Sequence, residues 1–406
     1  MFTTRRRFLE TTLKGSTLVS LGLTVPTFLH RSARAAEAAG KTGDRVLVVV
    51  QLSGGNDGLN TVVPFGDDLY RKNRPTLRVA TEQVLKIDDH IGLHPNLAGL
   101  SKLLEAGQLA VLQGVGYPNP SRSHFRSMDI WHTASLAEKL PGDGWLGRAI
   151  ARDELRRAGT APAMHFGGGK LPLALAGRAT EVPSLQSLAD FKLQPGAAGR
   201  ELLADVVKGD RADSTLQFLQ RSTLDAYTTS GRLEELAKNY NTPVSYPPSE
   251  LARKLKLIAQ LIDSGFGTRI FYTSLDGFDT HANQAVTHGN LLKELGDAVA
   301  AFLDDLGHHG HRDRVLVMTF SEFGRRLKEN GSRGTDHGAA APMFLTGGTV
   351  KAGTIGKHPS LAELDDGDPK FHTDFRAVYA TLLEDWLGCP SREVLGGEFD
   401  RLKIFG

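Results

Sequence analysis

The residues best equipped for chemistry fall just after short apolar runs. Asp57 follows the run Val46–Leu52. Ser121 and Ser123 follow Leu109–Val115, Asp279 and His281 follow Thr268–Leu275, and Glu322 follows Arg314–Phe320. Asp336 and His337 lie in the loop after that. Carboxylates and imidazoles are ligands for hard and borderline divalent cations. A hydroxyl at a helix start can act as a cap, or as a group held where free N–H donors and the helix dipole favour an anion. Any one of these positions is explained by a turn or a cap. Oxygen and imidazole donors at so many strand ends predict instead one shared site for one or two divalent ions: Zn, Mg, Mn or Ca.

The elements that must hold these residues are legible from periodicity. The apolar runs are rich in β-branched residues and too short for typical helices, so they read as strands buried on both faces. Ala163–Phe166 and Met343–Thr346 add two more strands. Helical spacing covers His94–Ala106, Arg126–Ser135, Leu202–Asn239, Pro248–Gly265, Leu291–Gly307 and Phe375–Leu387. Strands alternating with helices predict an α/β fold, a mostly parallel central sheet with helices on both faces. In such sheets ligands bind beyond the carboxyl ends of the strands, where the candidate residues sit. Asp67–Arg74 reads as a loop with short elements, and Tyr240–Pro247 as an internal loop or the edge of an insertion. No internal repeat or strong linker divides the chain, so residues 36–406 are expected to form one domain.

With 406 residues, 40% hydrophobic and 23% charged, the chain is a globular protein with ample core. A net charge of +2 with scattered basic residues excludes a nucleic-acid footprint. The single cysteine, Cys389, excludes an internal disulfide and a thiolate metal cluster. The N-terminus, Thr4-Arg5-Arg6-Arg7-Phe8-Leu9, resembles the twin-arginine export motif. A mildly apolar segment, Leu13–Leu29, and a small-residue cleavage site, Ala33-Arg34-Ala35, follow it. Residues 1–35 are therefore expected to be a signal peptide read by the twin-arginine export machinery. The mature protein is expected to be periplasmic or otherwise exported, with no stable membrane span after cleavage. Lys14, Pro26 and two glycines make the apolar segment a poor span.

Taken together, QLSGGNDGLNTVVP, PSRSHFRSMDIWHTA, DGFDTHANQ, SEFGR and GTDHG resemble the exported bacterial domain-of-unknown-function family 1501. That family is similar to the alkaline phosphatase-like superfamily of phosphatases, sulfatases and cofactor-independent phosphoglycerate mutases. The resemblance implies an alkaline phosphatase/sulfatase-like sheet and a metal-dependent hydrolase or transferase acting on a phosphate, sulfate or related ester. It implies a small anionic ester or polysaccharide-type substrate. Asp57 and Glu322 would hold one ion, and Asp279, His281 and His337 a second. Ser123, or else Ser121, would be the nucleophile. His124 would serve as general acid/base or as a hydrogen-bond partner, and Arg122 or Arg325 would bind the anionic group. Two departures from the superfamily stand out. The Asp279/His281 spacing is short, and Ser321-Glu322 stands where an Asp-His pair is expected. An alternative alignment sets Asp336-His337 on that pair and His372 on the last histidine. The other reading is a non-catalytic exported protein that keeps the fold and binds a metal or a polymer.

Overall fold

The computed structural model describes residues 45–152, 154–155, 161–177, 182–185 and 240–406. The expected signal peptide and the expected helix Leu202–Asn239 lie outside the described residues. The centre of the molecule is a nine-stranded sheet. In chain order its strands are β1 (Val46–Ser53), β2 (Leu109–Gly116), β3 (Ala163–Phe166), β4 (Ser184–Leu185), β5 (Ile270–Asp276), β6 (Val315–Phe320), β7 (Ala341–Gly347), β8 (Gly353–Ile355) and β9 (Thr373–Asp374). Their spatial order is β8-β2-β7-β6-β1-β5-β3-β4, with β9 also pairing with β2. All pairings are parallel except those of β7, which runs antiparallel to β2 and β6. The expected mostly parallel α/β sheet is what the chain forms.

β1 shows why. Val46, Val48, Val50 and Leu52 join one apolar cluster, while Leu47 and Val49 join another on the opposite face. A strand covered on both sides has no use for the polar-apolar alternation of a half-exposed strand. The first face is covered by helices α1 (Ala98–Glu105), α4 (Glu250–Asp263) and α5 (Gln284–His308). The second is covered by α2 (His124–Thr133), α3 (Trp145–Ile150) and α6 (Phe375–Thr381). Trp131 stacks on Phe375 at 4.4 Å, and Trp145 on Tyr379 at 4.0 Å, which ties α2, α3 and α6 into one layer.

Two elements differ from the sequence reading, and the short element expected within Asp67–Arg74 is a helix. Helix α5 begins at Gln284, before the apolar spacing that starts at Leu291. Its first turns point Gln284 and His288 inward to polar partners, so hydrophobic period gives no sign of them. Asp67–Arg74 contains a short helix, Asp68–Asn73, capped by the Asp67 carboxylate accepting from the Leu69 N–H at 2.8 Å. The helix from Phe375 widens into a π-type turn over Leu382–Leu387. Tyr240–Pro247 has no regular structure, as expected, yet Tyr240 and Tyr246 both donate to buried Asp305 at 2.7 Å. Among the described residues no helix is long and apolar enough to cross a membrane. Cys389 is buried and free.

Burial depresses His94, His132, His165 and His288, each from 6.5 to about 4. Folding therefore holds these imidazoles neutral, while the unfolded chain takes up protons below its own value of 6.5. Their contribution to stability is full above pH 6.5 and is lost as pH falls toward 4. Denaturant unfolding across that window should show a falling free energy. The slope should flatten in His288→Gln, and an unchanged free energy from pH 7 to pH 4 would contradict the assignment.

Candidate metal centre

The site lies at the carboxyl ends of β1, β5 and β6. Its foundation is Arg325, whose guanidinium is fully buried. Its Nε donates to the Gly55 carbonyl at 2.7 Å, and Nη1 donates to the Thr335 carbonyl at 2.8 Å. Nη2 donates to the carbonyls of Gly54 and Phe278 and to Asp279 Oδ1 at 2.8 Å. One side chain thus pins the loops after β1 and β5 and the strand Thr335–His337. The glycines of the first loop serve that assembly. Gly54 (φ 120°) and Gly55 (φ 80°) adopt backbone that side chains rarely enter. A Cβ would collide with the Asp279 backbone at the first and with the Phe323 ring at the second.

Around Phe323 stand two imidazoles, His124 at 4.9 Å and His337 at 4.7 Å between ring centroids. His281 lies 4.7 Å from His337. Donor atoms of His124, Asp279 and His337 all lie within 4.8 Å of one another. His281 adjoins them, its Nε2 3.0 Å from Asp279 Oδ1 and 2.9 Å from His337 Nε2.

The far nitrogens decide what faces the centre. His337 Nδ1 donates to the Arg122 carbonyl at 2.7 Å, which can only accept, so its Nε2 carries the lone pair. Burial holds that ring below its ordinary value and keeps it neutral. His124 Nδ1 donates to Glu322 Oε1 at 2.8 Å, and its Nε2 is buried without a hydrogen-bond partner, 3.4 Å from Asp279 Oδ2. His281 Nδ1 lies 3.5 Å from Asp336 Oδ1. Burial raises the Asp279 carboxyl, but the hydrogen bond and charge of Arg325 outweigh it and hold the group down to about 2. With both Nδ1 atoms donating outward, the Nε2 lone pairs of His124 and His337 face an ionised carboxylate. Acceptors so arranged call for a cation. Imidazoles backed by carboxylates or a carbonyl are how metal-ligating histidines are oriented. The residues present fit one divalent ion.

The other predicted residues lie elsewhere. Asp57 does not enter the cluster. It is fully buried, both its oxygens meet the buried Arg74 guanidinium, and Gln284 donates to Oδ2. Burial raises its carboxyl, yet Arg74 brings it below the usual range. Asp57 is thus neutralised by the chain's own cation and stands apart from the cluster. Glu322 is likewise engaged by the chain: Oε1 accepts from Gly54 N at 2.9 Å as well as from His124, and Oε2 from the Ser321 hydroxyl at 3.1 Å. It backs the His124 ring and does not face the centre. Asp336 stands behind His281. Arg122 is committed to Asp366 and Asp368, each at 2.8 Å, and is not a free anion receptor.

Ser123 is the N-cap residue of α2, but its side chain caps nothing, and it is exposed beside His124. The Ser121 hydroxyl accepts from the Ser123 N–H at 3.3 Å. His372 is exposed and lies against Gly114, apart from the cluster. Sequence reasoning missed Arg74 and Gln284 altogether. The odd conjunction of an arginine directly before Pro75 and a polar helix start at Gln284 was the only available signal.

The fold and site define a mixed α/β protein with a histidine-rich centre at its strand ends. The chain belongs to the family described as Protein of unknown function (DUF1501), whose model matches residues 44–401. Comparison with curated proteins finds no match. Among solved structures it is similar to the PsFucS1 sulfatase from Pseudoalteromonas sp., at 14% identity and a TM-score of 0.40, covering 92% of this chain and 74% of that one. It is similar to a protein in the alkaline phosphatase superfamily from Vibrio parahaemolyticus, at 10% identity and a TM-score of 0.41, covering 91% and 77%. It is also similar to the C-terminal periplasmic domain of EcEptC from Escherichia coli in complex with Zn, at 10% and 0.36, covering 76% and 74%.

Removing one partner of a buried ion pair strands the other charge, at a cost of about 3–5 kcal/mol. Asp57→Asn should therefore lower unfolding free energy by about that amount while leaving the metal content of the folded protein unchanged. Loss of metal in a folded Asp57→Asn protein would return Asp57 to the ligand set.

Proposed function

We propose that this is an exported, metal-dependent hydrolase or transferase acting on a phosphate, sulfate or related ester. The observation that carries the reading is the convergence of His124 Nε2, His337 Nε2 and the Asp279 carboxylate, with His281 adjoining. Three imidazoles and one carboxylate suit zinc better than magnesium or calcium, which prefer all-oxygen sites. One ion is proposed, because Asp57 is paired with Arg74 and Glu322 with His124. When bound, that ion would supply Lewis acidity toward the ester oxygens and the attacking hydroxyl.

The chain's own groups do the remaining work. Ser123 lies at the exposed start of α2, where unpaired N–H groups and the helix dipole favour a tetrahedral anion. Its Oγ would attack phosphorus or sulfur, the alcohol would leave, and water would release the anion. Arg325 keeps Asp279 ionised, and Glu322 keeps His124 Nε2 turned inward. Export through Arg5-Arg6 is part of the proposal, with a mature chain beginning near Ala36. A metal-binding protein without turnover is the second reading, favoured by one observation: among the described residues no side-chain base contacts either serine hydroxyl.

Elemental analysis of protein folded in its own host should give one divalent ion per chain, most often zinc. Asp279→Asn should lose it, and Glu322→Ala should weaken affinity about 10- to 100-fold. Aryl phosphate and aryl sulfate esters should be turned over by the loaded protein. Ser123→Ala should abolish turnover while keeping the metal, as removal of a covalent nucleophile does. Full metal content in Asp279→Asn would overturn the site. Metal without turnover on any ester would leave the second reading.

A further inference from the structure

The peptide of Arg122 is shared between the metal centre and a second feature. On one side its carbonyl holds His337 Nδ1. On the other, its side chain lines a pocket of about 580 Å³, walled by Asn119, Pro120, Asp365, Lys370 and Phe371. That volume suits a small-molecule site, which runs from roughly 300 to 1,000 Å³. The pocket and the candidate centre are therefore joined through one residue, Arg122.

Its charges are arranged in two sets. The first is structural: Arg122 holds Asp366 and Asp368, and Asp368 also meets Arg326 at 3.3 Å, so these charges neutralise one another in the wall. The second is unspent. Asn119, Asp365 and Lys370 have no hydrogen-bond or ion-pair partner for their side chains among the described residues. They offer an amide, a carboxylate and an ammonium, acceptors and donors whose formal charges cancel. Phe371, Pro120 and Pro369 supply apolar faces between them.

This lining discriminates by chemistry. An anionic group entering it would meet three aspartates whose cationic partners are already engaged or number only one. A purely apolar ligand would leave three polar groups desolvated without partners, which is costly. A ligand with many hydroxyls both donates and accepts, and a saccharide ring also presents C–H faces to an aromatic side chain. We propose that the pocket binds the uncharged saccharide portion of the substrate, placing a carbohydrate ester against the metal centre. Calling that saccharide part of a substrate rests on the ester-hydrolase reading; the binding itself does not.

The test is titration of the metal-loaded full chain with maltotriose, cellotriose and chitotriose, followed by saturation-transfer NMR and calorimetry. At least one should bind, and binding should weaken about tenfold or more in Phe371→Ala, the loss expected when an aromatic contact worth about 1.4 kcal/mol is removed. Asp365→Asn, a change at an exposed position that does not threaten folding, should weaken it as well. Asp279→Asn, lacking metal, should keep saccharide binding. No binding by any of the three saccharides, or undiminished binding in both pocket variants, would overturn the proposal. Saccharide binding by a protein that never takes up metal would sustain the pocket and sink the ester-hydrolase reading, so the two fail separately.

Discussion

A buried guanidinium is an expensive object, tolerated only when every donor is matched. Arg325 meets that condition by spending its N–H groups on four carbonyls and one carboxylate from three chain segments. The loop after β1, the loop after β5 and the strand Thr335–His337 are fixed relative to one another by this one plane. Asp279 is ionised because of it, and Phe323 can seat two imidazoles because Gly55 leaves the ring its space. The cluster is a consequence of this scaffold more than of any single ligand.

A second buried guanidinium, Arg74, plays the opposite part. It takes Asp57 out of the site and draws it into a network with Gln284, Asn60 and Tyr70. Two aspartates at adjacent strand ends are thereby given different fates by two arginines. One is sealed and neutralised. The other stays 47% exposed and negatively charged at the mouth of the site. Local environment, and not residue type, separates them.

That distinction explains how far the sequence could be read. The strands were visible because β1, β2, β5 and β6 are buried on both faces and so appear as unbroken apolar runs. The clustering of His281, Asp279 and His337 was visible as well, since their donors follow strand ends. Asp57 and Asp279 look alike in sequence because each follows a strand and a glycine-bearing turn. Their partners, Arg74 and Arg325, are distant in the chain and carry no pattern that says which acid each will meet. Glu322 is ambiguous in sequence for a related reason: a carboxylate two residues past a strand can face the centre or stand behind another side chain. Only the position of the His124 ring decides.

The donors His124, Asp279 and His337 are spread over about half the length of the chain, so no single local segment holds all three. Contacts of such separation form late, after the loops between them have closed. The unfolded chain therefore contains no fragment able to capture a cation with comparable strength. Uptake of an ion would be a record that β1, α2, β5 and β6 had all reached their places, and the centre would double as a seal on completed folding.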